Sequence, residues 1–170
     1  MTGNKDFRWR RRSSSGLFFL LACALLLTAC MPPLGDRFPR PVGVGRSDDG
    51  QLRFVIPLCA GEAISSFAAA DHRTEQPVWK VSRPTRPNMN TIVLGNAQEF
   101  AEQETPLASP LPSNLNVSAT LTSDLVVESA FTLDQIPEDL AGTAQVVNMI
   151  GKGTAEPEKE FLRQADADYC

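Results

Sequence analysis

Residues 116–133 read NVSATLTSDLVVESAFTL, and the alternation within them decides the fold. Val117, Ala119 and Leu121 alternate with Asn116, Ser118, Thr120 and Thr122; Val127, Ser129, Phe131 and Leu133 then alternate with Glu128, Ala130 and Thr132. A period of two sends successive side chains to opposite faces, so each run describes a strand with one buried face. Thr122-Ser123-Asp124 between them is turn-like. The two runs therefore predict an antiparallel hairpin lying on a core.

The same grammar extends to either side. Leu52, Phe54, Ile56 and Leu58 alternate with Arg53, Val55, Pro57 and Cys59, and Pro57, which has no ladder donor, places that strand at an edge or near its end. In Ala63 to Asp71, Ile64, Phe67 and Ala68 would suit a helical stripe, but the neighbouring runs favour a strand, and we read one. Val78 to Val81, Thr91 to Leu94 and Ala144 to Ile150 supply three more. About seven short strands within residues 51–150 are the count and spacing of a β-sandwich. The runs Val78-Trp79-Lys80-Val81 and Ala130-Phe131-Thr132-Leu133 resemble those of immunoglobulin-like sandwich domains, although the inter-sheet cysteine pair common in that family is missing. The resemblance implies an all-β, antiparallel sandwich with Trp79 packed between the sheets. Beyond Gly153 the pattern turns helical: Pro157 suits a first helical position, Glu158 and Glu160 oppose the positive end of the helix dipole, and Phe161, Ala165 and Tyr169 recur at spacing four.

The first 50 residues follow other rules. Lys5, Arg8, Arg10, Arg11 and Arg12 precede the apolar run from Leu17 to Leu26, which closes on Leu27-Thr28-Ala29-Cys30. A basic front, an apolar stretch too short to span a bilayer and small residues before a cysteine form an export signal. These residues resemble the signal and lipobox of a bacterial lipoprotein precursor. The resemblance implies cleavage after Ala29 and a thioether-linked diacylglycerol on Cys30, anchoring the chain to the cell membrane or the outer membrane with its domain outside the cytoplasm. Residues 31–50 carry Pro32, Pro33, Pro39 and Pro41 with Gly35, Gly43, Gly45 and Gly50, and show no periodicity. The expected organisation is a signal peptide at 1–29, a lipidated Pro/Gly-rich tether at 30–50, and a sandwich with a terminal helix at 51–170.

Losing the signal removes five basic residues and one acid from the 16 and 20 of the whole chain, leaving 11 against 19, net −8. An acidic exported part argues against nucleic acid and against charge-driven adhesion to anionic headgroups. Of the four cysteines, Cys23 leaves with the signal and Cys30 takes the lipid, so Cys59 and Cys170 remain. Export permits a disulfide between them, with two separate thiols as the alternative.

Catalytic and metal constellations are weak. His72 is the sole histidine, there is no Gly-x-Ser-x-Gly elbow, and the two remaining cysteines with one histidine make a poor zinc site, so no cofactor or metal is expected. Arg73, Lys80, Arg83 and Arg86, grouped around Trp79 on an acidic domain, form a candidate binding surface. The expectation is a non-enzymatic binding or structural module in the envelope, facing other envelope proteins or the cell wall. A small hydrolase or carrier with a carboxylate-based site is the alternative.

Overall fold

The computed structural model describes residues 39–150 and 153–170; the signal peptide and lipobox lie outside the described residues. Among the described residues, ten strands form two five-stranded antiparallel sheets. The first takes β1 (Gly43–Arg46), β2 (Leu52–Val55), β5 (Thr91–Val93), β9 (Gln145–Asn148) and β10 (Ala155–Pro157), in the order β10-β9-β1-β2-β5. The second takes β3 (Ile64–Asp71), β4 (Pro77–Pro84), β6 (Phe100–Thr105), β7 (Asn114–Leu121) and β8 (Val126–Thr132), in the order β6-β4-β3-β7-β8. A single helix, α1 (Glu158–Tyr169), closes the described chain. The two sheets make an all-β sandwich, with β10 and β5 at the edges of the first and β6 and β8 at the edges of the second.

The hairpin expected at residues 116–133 is β7 and β8, paired from Asn114↔Thr132 to Thr120↔Val126 without a register shift. Its core-facing row of Leu115, Val117, Ala119, Leu121, Val127 and Phe131 is buried. Between the sheets runs a chain of aromatic rings: Phe54 lies 5.1 Å from Phe67 and 6.1 Å from Phe131, and Phe67 lies 5.8 Å from Trp79. Trp79 then meets Phe100 edge-on at 6.2 Å. Edge-to-face contacts align ring quadrupoles favourably beyond the area they bury. Trp79 is therefore core, as its pattern suggests, and sits on the fourth strand.

Two expectations need correction. The strand count rises from about seven to ten because three strands carry no alternation signal: β1 is GVGR, β6 is FAEQET with an exposed middle, and β10 is three residues ending in proline. The tether drawn to residue 50 is too long, since β1 pairs with both β2 and β9, and Val42 and Val44 are fully buried. Composition misleads here because Gly43 and Gly45 serve close packing. A Cβ on Gly43 would stand 2.9 Å from Cε1 of Phe161, and one on Gly45 would stand 2.6 Å from the Gln145 carbonyl oxygen.

Phe161 lies with Val55 and Val146 in a second small core on the outer side of the first sheet. The Arg53/Val55 row, which alternation assigns to the outside, is thus covered by α1 at Val55. Phe131→Ala should cost about 3–5 kcal/mol, because it empties space between two packed faces. The midpoint of urea unfolding, at unchanged slope, measures it.

Candidate functional site

The chemistry of the described chain converges at the end of the sandwich where Pro39 stands. Arg40 donates through Nη1 to the Pro57 carbonyl oxygen (3.2 Å) and through both Nη atoms to the Glu62 carboxylate, with Nη2 to Oε1 at 3.3 Å. Glu62 Oε2 also accepts from the Cys59 amide at 2.8 Å. Only 9% of the Arg40 side chain and 16% of the Glu62 side chain is exposed, so the pair is largely withdrawn from water. The Arg40 hydrogen bond outweighs the desolvation that burial imposes, and Glu62 titrates below the usual glutamate value. A carboxylate held ionised in this way suits positioning of the chain and not proton donation.

Cys59, in the same loop, is bonded to Cys170 at the end of α1, with the two Cα atoms 5.4 Å apart. The bond closes a separation of 111 residues, which removes roughly 4–5 kcal/mol of unfolded-chain freedom in the entropic treatment. It fastens one end of a helix too short to hold itself. At the other end Arg53 pairs with Glu158, whose amide donates to the Ala144 carbonyl oxygen at 2.9 Å. Phe161 and Ala165 are buried between these fastenings and Tyr169 is half-buried, which matches the spacing-four stripe.

Beside the disulfide opens a cleft of about 480 Å³. Pro57, Leu58 and Leu162 give it apolar wall, while Asn88, Asn90 and Asp166 give it polar rim. No group of three or more potential metal ligands occurs among the described residues. His72 lies far from the cleft, exposed in the β3–β4 turn at the opposite end, where its backbone amide donates to the Asn114 carbonyl oxygen at 3.1 Å.

The structure does not bring Arg73, Lys80, Arg83 and Arg86 together as a cationic patch. Arg73 sits in the β3–β4 turn, Lys80 in the middle of β4, Arg83 near its end and Arg86 in the following loop. Three of them are matched by the neighbouring strand and its lead-in turn: Lys80 with Glu104 at 2.6 Å, Arg83 with Glu102, and Arg86 with Glu99. Such exposed pairs contribute about 0–1 kcal/mol each. The acids of β6 were legible one by one, but their register against β4 was not. Comparison of the chain with family models, with curated proteins and with solved structures returned no match. The fold and site define a class, an antiparallel β-sandwich with a disulfide-fastened terminal helix, and the assignment rests on the geometry above.

Two outcomes follow from this end of the molecule. Because the folded-state pKa of Glu62 is depressed, its contribution is present above the unfolded value and is lost as pH falls through the folded one. Glu62→Gln should therefore lie below the wild type in stability at pH 7, with the gap closing below about pH 4, as urea titrations across pH would show. Cys170→Ser should raise amide exchange across residues 158–169 before the strands respond, since the sheets keep their own core.

Proposed function

We propose that the chain is an exported bacterial lipoprotein, held by diacylglycerol on Cys30 at the membrane surface, whose sandwich serves as a non-enzymatic binding or structural module of the cell envelope. The observation that carries this reading is the disposition of the cysteines. Of the three from position 30 onward, Cys59 and Cys170 are taken up by the folded domain as a disulfide, and Cys30 stands at the end of the lipobox-like Leu27-Thr28-Ala29-Cys30. A disulfide that closes a domain is chemistry of an oxidising compartment, and a lipobox is an export signal. Each supports the other through a different part of the chain.

The module reading is supported by how the polar chemistry is spent. Glu62 is committed to Arg40, and the acids of β6 are matched to cations of β4. Among the described residues, no helix is long and apolar enough to cross a membrane; the reading takes its attachment from the lipobox-like Leu27-Thr28-Ala29-Cys30, as a lipid on Cys30. Two or more acyl chains make such an anchor stable, at about 0.8 kcal/mol per buried CH₂.

Cys30→Ser should give an unlabelled protein of precursor size, because the modification needs the thiol. Metabolic labelling with a radioactive fatty acid, followed by gel analysis, reads this. A wild-type protein that takes up no label would sink the reading.

A further inference from the structure

A bare apolar tip lies beside the point at which the described chain begins. Leu125 is 42% exposed and Val126 50%, two large apolar side chains next to each other at the β7–β8 turn. The turn is well defined: the Leu121 amide donates to the Leu125 carbonyl oxygen at 2.8 Å, and Asp124 turns the chain at φ 63°. Contacts lead from this turn to Pro39 in few steps. The Thr122 amide donates to the Ala63 carbonyl oxygen at 2.8 Å, Ala63 follows Glu62, and Glu62 holds Arg40. Ala60 and Gly61, both exposed, belong to the same loop as Glu62.

Pro39 is nine residues after Cys30, a separation that reaches at most roughly 30 Å at about 3.3 Å per residue. A domain confined so closely to its anchor meets the bilayer at high effective concentration, so a contact too weak to recruit a free protein is still made. We infer that the Leu125/Val126 tip rests in the headgroup–acyl boundary of the membrane that carries the lipid anchor, and so sets which end of the sandwich faces the bilayer; this rests on the lipoprotein reading. The tip offers no unmatched cation. Arg40 is paired with Glu62, and Asp124 is acidic. The lipid it fits is therefore zwitterionic, and the contact is made by apolar area.

The lipidated full-length protein tests this directly. With Cys30 acylated and Cys59 bonded to Cys170, Leu125→Cys adds one reactive thiol for a nitroxide label; Val126→Cys provides a second position at the tip. Leu107→Cys serves as the control, since Leu107 is 39% exposed and packs beyond the far end of β6, against Gly95. In phosphatidylcholine/phosphatidylethanolamine vesicles, the ratio of oxygen to nickel-chelate collision should be about threefold or more higher at 125 and 126 than at 107. Equal ratios on a protein whose mass shows acyl chains would overturn this inference and leave the anchoring intact. A mass without acyl chains would overturn both. A tip that is shielded in whole envelopes but aqueous in vesicles would mean that a protein covers it, and the inference would fall.

Discussion

The ring of Phe161 lies over the backbone of Gly43, and much of the architecture depends on that contact. A strand side chain at position 43 would reach into the ring, so the first sheet accepts the helix here because Gly43 carries no Cβ. Once seated, Phe161 shares an apolar pocket with Val55 and Val146 and turns the outer side of that sheet into a second interior. A twelve-residue helix is marginal in water, and this one carries no side-chain cap at its start. Its stability is therefore tertiary. Arg53 holds the first turn through Glu158, the disulfide holds the last residue, and the buried ring holds the middle.

This arrangement gives the sandwich two unlike outer faces. Over the first sheet the helix covers Val55 and Val146. Over the second, residues such as Ser66, Ala68, Asn116, Ser118, Thr120 and Ala130 line the face, paired across strands in register. Beside β4 the edge is guarded differently. Glu102 and Glu104 on β6 meet Arg83 and Lys80, placing charges where a foreign strand would otherwise add. The net acidity of the domain thus coexists with local neutrality along this edge.

The difference between the faces explains what was legible in the sequence. Alternation marks a strand when one face meets the core and the other meets water, and β7 and β8 satisfy that condition residue by residue. β1 does not, because both of its faces are interior and two of its residues are glycine, Gly43 beneath the Phe161 ring and Gly45 against the Gln145 carbonyl oxygen; that GVG reads as a loop. β6 fails for the opposite reason, with four consecutive exposed residues after the buried Phe100 and no alternating buried row to betray it. The disulfide was legible by counting once the lipobox-like reading set Cys23 and Cys30 aside, which left Cys59 and Cys170 as the pair. The Arg40–Glu62 pair was not, because nothing in either residue's neighbourhood announces a partner 22 positions away. Four arginine and lysine residues near a tryptophan looked like one surface, and register dispersed them.

Register and close packing also decide where the domain begins, and that start has a mechanical consequence. With Val42 and Val44 fully buried, and Arg40 fixed to the loop that carries Cys59, the chain is captured at Arg40 and not at residue 51. Force applied at the amino-terminal side is delivered first to Arg40, to Glu62 and to a loop that the disulfide ties to α1. Those groups bridge both sheets: Glu62 lies just before β3 of the second sheet, and Cys170 ends the helix packed on the first. A pull on the amino terminus is therefore shared by both layers from the outset. This is the arrangement expected to resist peeling of an outermost strand, because β1 is the third of five in its sheet and is paired on both sides.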